Sequence, residues 1–303
     1  MPTTISNEYN TFLDIKSIKN LNSFFARTSE DKLALLVRNN KEEHSSTSYS
    51  NNYLVLKCNL DLEVETQPIG KFHILTCISD DLEIKKDFTR ICNYIFIDKN
   101  EPKCSDEVIA LFYSLQNIFS EELSHDTHLL QIGLYGEYIA LLKLIIESKT
   151  NIFNKWHFNF SSRHDIEIDE KTRIEIKTTA RGERIHRFNH EQISRDNIKI
   201  FVISNMIELS EEGTSLFDLS QQILNQFDDY KRKLTIEQLN KRCGLSDYNK
   251  GIISNLEDCL QNCKLYEDSN IPKLILEKHN AVTNISYDID FSLVQDKFFS
   301  ILP

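Results

Sequence analysis

Positive charge is scarce in this chain. Its 303 residues hold 35 Lys and Arg against 46 Asp and Glu, a formal net charge of −11. A chain this acidic does not coat nucleic acid along its whole surface, so any such contact has to come from a local basic patch. Long apolar runs are missing as well. The most apolar stretch, residues 138–146, is far shorter than the ~20 residues of a membrane span and contains Lys143. The N-terminal twenty residues lack the basic-then-apolar pattern of a signal peptide. Cysteine is present but unpatterned: Cys58, Cys77, Cys92, Cys104, Cys243, Cys259 and Cys263 are odd in number and scattered. That spacing excludes a disulfide framework. Cys259 and Cys263 can share a helix face, but nothing else stands at zinc-site spacing, and buried thiols are expected. No repeat stands out, and the polar run 39–52 reads as a mobile loop. These absences together predict a reduced, cytoplasmic protein.

The composition that remains, 40% hydrophobic and 27% charged, supports an ordinary core. The length alone suggests roughly two structural units. Short β-like runs at 33–37, 53–58 and 72–78, a helical period over 81–94 and a helix from Ser105 to about Leu123 describe an N-terminal α+β module. From 129 to 148 apolar residues occupy nearly every helix face, which marks a buried helix. It carries Glu137 in its interior, directly after Gly136 and four residues after Gly133, and the glycines are expected to clear space beside the acid. A β-like run near 156–160 is followed by a hairpin pattern over 165–168 and 173–177, with Asp169, Glu170 and Lys171 as the turn. After a loop around Gly182 come a short helix near Glu191 and an apolar strand over 198–204. The last third reads as helices over 214–227, 235–244 and 251–263, the second opened by a Thr235–Gln238 capping box, with β-like pieces at 274–276 and 284–289. The modules expected are 1–103, 104–206 and 207–303.

The chemistry lies in the middle. Strand side chains alternate, so Glu175 and Lys177 face one site while Ile176 faces the other way. Asp165 can share their side of the hairpin. Asp165 and Glu175 would hold a hard divalent cation through oxygen, with the Ile176 carbonyl as a further ligand and Glu137 reaching the cation through water or holding a second one. Lys177 would orient the attacking water and stabilise charge developing at phosphorus.

This order of acids, lysine and elements resembles the PD-(D/E)XK nuclease superfamily, whose core runs helix, three strands, helix, strand. The segments GLYGEYIALLKL, RHDIEI, RIEIKTT and IHRFNHEQI are similar to a family of PD-(D/E)XK proteins found among restriction-modification and phage-defence genes. The tail segments NIPKLI and NISYDIDFS extend that likeness over most of the chain. The resemblance implies an α/β (α+β) fold with a restriction-endonuclease-like central mixed sheet flanked by helices. It places Asp165, Glu175 and Lys177 in the signature positions, Glu137 in the helix-acid position and Gln192 beside the metal site. His164 stands where the superfamily signature has its variable proline.

A basic patch exists where such a site would need one. Residues 171–200 contain eight Lys or Arg against four acids, a local surplus of four in an acidic chain. Arg173, Arg181, Arg184, His186 and Arg187 are the expected phosphate contacts. His186 and His190 stand at helical spacing, and two histidines alone do not make a zinc site. The segment 235–257 echoes a helix-turn-helix around Gly244, Leu245 and Ser246, but a plain αα-hairpin accounts for it better. The reading that follows is a Mg²⁺-dependent endodeoxyribonuclease of restriction or antiviral defence, with Mn²⁺ able to substitute. The resemblance implies 5′-phosphate products. Double-stranded DNA is the expected partner. One site cuts one strand, so a homodimer is expected too, with a methyltransferase or an ATPase/helicase as further partners. The competing readings are a catalytically silent nuclease-fold DNA-binding or scaffold subunit of a defence complex, and a transcription regulator acting through 235–257.

Overall fold

Alternating, β-branched and aromatic segments dominate the first hundred residues, and they form strands. A computed structural model describes residues 4–6, 11–14, 22–28, 30–41, 46–64, 67–120, 127–156, 164–193, 198–274 and 285–303. The chain divides into two compact units, 1–122 and 123–303, rather than the three modules expected. In the first unit, β1 (Thr4–Ser6), β2 (Thr11–Asp14), β3 (Ser23–Arg27), β4 (Leu33–Arg38), β5 (Thr47–Ser50), β6 (Leu54–Val64) and β7 (Gln67–Cys77) pair antiparallel in the order β1-β2-β3-β4-β7-β6-β5. A further β1–β6 pairing closes the sheet on itself, which removes most of the open edge. Phe24, Ala26, Ala34, Leu36, Leu62, Phe72 and Ile74 form one buried cluster of that sheet. Helix α1 (Leu82–Cys92) is capped by Asp81, which accepts from the amides of Glu83 and Ile84. Helix α2 (Ser105–Ser120) packs on β6 and β7, and for that reason it belongs to this unit rather than to a module beginning at 104. Part of the run expected to be a mobile loop is strand β5, paired with β6.

The second unit is built on α3 (Thr127–Ile146) and a mixed sheet. Around them stand α4 (Thr150–Phe153), β8 (Ile166–Glu167), β9 (Thr172–Thr179), β10 (Ile185–Asn189), α5 (His190–Ile193), β11 (Lys199–Met206), β12 (Leu209–Ser215), α6 (Leu216–Leu224), α7 (Tyr230–Arg242), β13 (Ile253–Ser254), α8 (Leu256–Gln261), β14 (Lys264–Glu267) and β15 (Ser286–Asp290). The sheet order is β14-β11-β9-β8. β9 and β11 run parallel, with Glu175 opposite Val202 and Lys177 opposite Ser204, while β8 and β14 are antiparallel edges. This is the mixed α/β architecture expected.

Helix α3 is 20 residues long, longer than the 138–146 run, and apolar enough on average that by length and composition alone it could cross a membrane. Half of its apolar window is buried in the protein, where it packs on β9, β11, α4, α6 and α8 as a core helix. It approaches the sheet tightly at Gly136, where a Cβ would lie 1.8 Å from Thr178 Oγ1. The Asn205 side-chain amide donates to the Gly136 carbonyl at 2.9 Å and fixes the same crossing. Gly133 clears no such space, since a Cβ there would meet nothing within 4 Å.

Three local expectations change. Residues 185–189 form a strand rather than part of a loop and helix, pairing with β15 in the register Ile185 to Asp290 and Asn189 to Ser286. Helix α7 begins five residues before Thr235, capped by Asp229, and the Thr235 hydroxyl donates to the Lys231 carbonyl inside it. Between α7 and the six-residue α8 lies β13, paired with β12, so 235–257 is neither a helix-turn-helix nor an αα-hairpin. The β-like pieces at 157–160 and 275–276 lie outside the described residues, as does the predicted helix end at 121–123.

Candidate active site

Strand β9 carries the site because its two faces are chemically different. Ile174 and Ile176 are buried, and Ile174 is paired across the hairpin with buried Ile166. Glu175 and Lys177 project to the opposite side, with the Lys177 ammonium 2.7 Å from Glu175 Oε1. The Glu175 side chain is only 5% exposed, so its charge is held by neighbours rather than by water. Its Oε1 also accepts from Gln192 Nε2 at 2.7 Å, and its Oε2 lies 3.2 Å from His164 Nδ1. Gln192 is fixed in turn: its Oε1 accepts from the Asn189 amide at 2.9 Å. The Lys177 ammonium rests 5.1 Å from the centre of the Phe188 ring, which β10 supplies.

Asp165 enters from the start of the hairpin. Its Oδ2 accepts from the Ile176 amide at 2.6 Å, which ties the carboxylate to the middle of β9. Burial raises its pKa well above the usual carboxylate range, and the charges of Glu137 and Glu175 add to that rise. The Ile176 amide and the Lys177 charge oppose it. Glu137 is brought in by α3, and its Oε2 accepts from the Trp156 indole at 2.9 Å. Trp156 is buried and bridges to Ile166, next to Asp165. The structure therefore brings together Glu137, Asp165, Glu175, Lys177 and Gln192, drawn from α3, the residue before β8, strand β9 and the short α5.

The donor set is oxygen only. Three carboxylates whose mutual repulsion disfavours ionisation of one of them form a place where a hard divalent cation is electrostatically welcome. Among the described residues no three His, Cys, Asp or Glu side chains group closely enough to cage a metal by themselves. With oxygen donors only, Asp165 and Glu175 are the side chains that could hold a hard divalent cation, whose remaining positions water would have to fill.

The expected phosphate contacts divide. Arg184 is buried, and its guanidinium donates to the Ser204 carbonyl at 2.7 Å, to Ser204 Oγ at 2.9 Å and to the Asn262 carbonyl at 2.8 Å. His186 is buried beside it, Nε2 lying 2.6 Å from Ser204 Oγ, and burial followed by the charges of Arg184 and Lys177 lowers its pKa to about 4. Both side chains are committed to the core and do not face a phosphate. Arg173 donates to carbonyls of its own turn, including Thr172 O at 3.0 Å, and lies 3.5 Å from Glu167. Arg187 forms a two-point pair with Asp288 at 2.9 and 3.0 Å across the β10–β15 ladder. Arg181 is exposed at the turn that follows β9.

Two contributors to the site escaped sequence reasoning. His164 was read only as a replacement for proline, and Trp156 only as part of a strand. The first had a signal, since it directly precedes Asp165. The second had none, because nothing in sequence links an indole to a carboxylate nineteen residues away.

The model of a family described as "Putative PD-(D/E)XK family member" (DUF4420) matches residues 2–292 of the chain. No curated protein and no solved structure gives a significant match.

Proposed function

The chain belongs to this DUF4420 family of PD-(D/E)XK proteins, and on that premise we propose that it is a metal-dependent endonuclease that hydrolyses phosphodiester bonds of DNA. The observation that carries the reading is that Glu137 and Glu175 both bear electrostatically on the buried Asp165, whose Oδ2 is tied to the Ile176 amide, while Lys177 stands 2.7 Å from Glu175. Nucleases of this class generally use a divalent metal, and a cation bound here would screen phosphate charge and acidify water. Asp165 and Glu175 would hold it, Mg²⁺ by preference and Mn²⁺ as a substitute. Glu137, its Oε2 held by the Trp156 indole, would add negative charge beside it. Lys177 aligns the attacking water and faces charge growing on the phosphoryl oxygens. The 3′ oxygen leaves, and the product carries a 5′-phosphate. Gln192 holds Glu175 in place. With Arg184 and His186 committed to the core, the exposed Arg181 at the site's turn is the best-placed phosphate contact of the five.

A role in restriction or phage defence, action as a homodimer on double-stranded DNA, and service beside a methyltransferase or an ATPase/helicase belong to the same proposal. The seven free, buried cysteines fit a reducing compartment, the cytoplasm. The test is an end-labelled duplex incubated with the full chain and Mg²⁺. Cleavage to ends that ligase rejoins, blocked by chelation, is the expected result. Tight DNA binding with no cleavage under Mg²⁺ or Mn²⁺ would replace the enzyme with a silent nuclease-fold subunit.

A further inference from the structure

Glu175 is gripped from two sides, and only one side belongs to the signature residues. Lys177 and Gln192 both reach Oε1, each at 2.7 Å. On the other oxygen, Oε2, the residue in contact is His164, with Nδ1 at 3.2 Å. The two side chains are almost sealed from water, 2% and 5% exposed. The pair also sits in a clamp. His164 meets the side chain of Glu175 while its neighbour Asp165 accepts from the amide of Ile176, so two adjacent residues grasp two adjacent residues of β9.

We propose that His164 is a positioning residue for the cation-binding carboxylate, its Nδ1–H fixing the plane of Glu175 so that Oε1 and the Lys177 ammonium hold a set geometry at the reaction centre. The proposal rests on the metal-dependent reading above and deepens it. The terminal torsion of a glutamate is broad and nearly two-fold, so donors on one oxygen alone leave the carboxylate plane loosely defined. A donor on the second oxygen defines it. In a region sealed from water, nothing else replaces that donor when it is removed. Partners of metal-binding side chains act in this way elsewhere, and losing one costs about 10-fold or more in metal affinity.

Mn²⁺ binding to the full chain, measured by calorimetry without any DNA, tests this apart from catalysis. His164→Ala should weaken Mn²⁺ about 10-fold while the thermal midpoint shows the protein still folded. His164→Asn, whose side-chain amide can place a donor near the position of Nδ1, should return the affinity close to wild type. His164→Gln, with its donor nearer the position of Nε2, should not. Should His164→Ala fail to fold, the Asn and Gln variants decide the matter between them. Wild-type affinity in folded His164→Ala, or equal losses in the Asn and Gln variants, would overturn the proposal while leaving the nuclease reading intact. A wild-type chain that binds no Mn²⁺ would remove the metal reading itself, and the positioning role with it.

Discussion

The two units of this chain bury different things. In the first, the buried polar side chains among the described residues are Ser23, Asn59 and His73, and the rest of the interior is Leu, Ile, Val, Phe, Ala and Cys. In the second there are thirteen, among them Glu175, Glu237, Arg184, His164 and His186. Burying charge costs stability unless every group is paired, so a fold that does it repeatedly around one strand is shaped by something besides stability. The first unit is held by area and packing, while the second adds polar clusters to its apolar core: Glu175 with His164, Lys177 and Gln192, Arg184 and His186 with Ser204, and Asn240 with Ser220. Function is expected where the interior is expensive to build.

The largest effect that sharpens this contrast is in the apolar unit. Phe72→Ala should cost about 3–5 kcal/mol by leaving a cavity, and the cost should be the same at pH 7 and pH 5. Urea unfolding at the two pH values checks it. In the second unit, Arg184→Met should cost about 3 kcal/mol, because it strips donors from Ser204 and from the Asn262 carbonyl. Arg187→Ala, at an exposed pair, should leave the unfolding midpoint unchanged. A reversal of those two results would break the contrast.

These polar clusters should also make the second unit sensitive to acid. The pKa of His186 is lowered to about 4 in the folded protein, from 6.5 in an unfolded chain. Between those values the unfolded state binds a proton that the folded state refuses, so stability is intact above pH 6.5 and lost as pH falls toward 4. The loss from this group is at most about 3 kcal/mol. His186→Phe should therefore gain on the wild type as pH drops from 7 to 4, whatever its cost at neutral pH. A constant difference across that range would contradict the assignment.

A more modest effect than the core deletions concerns how α3 is set against the sheet. Gly136→Ala should destabilise by about 1–3 kcal/mol despite alanine's better helix propensity, because its Cβ collides with Thr178. Thr178→Ala removes the two nearest atoms and should restore part of the loss in the double variant. The same change at Gly133, which faces open space, should be harmless or stabilising.

How much of this was legible beforehand depends on distance along the chain. Helix α3, the β8–β9 hairpin and the β11 strand announce themselves by local period, and Glu137, Asp165, Glu175 and Lys177 stand on or next to those elements, while Gln192, on α5, came only from the family resemblance. Strand β10 did not, because its ladder partner β15 lies about a hundred residues away and His186 and His190 mimic helical spacing. That error hid the burial of Arg184 and His186, which alternate inward along or beside β10. The α7 start was misread for a different reason. Thr235 and Gln238 satisfy a capping pattern locally, but Asp229 caps a helix already under way. His164 was visible in sequence, yet its role depends on a side-chain contact eleven residues away that no periodicity reports.

The central claim is that the carboxylates and lysine on this hairpin cut DNA with the help of a divalent cation. Supercoiled plasmid incubated with the wild type and with Lys177→Ala, each with and without Mg²⁺ or Mn²⁺, tests it most directly. The account predicts nicking or linearisation by the wild type only when the cation is present, reduced about 1,000-fold in the variant, with both proteins equally folded. Equal cutting by the two proteins would contradict it and place the activity elsewhere.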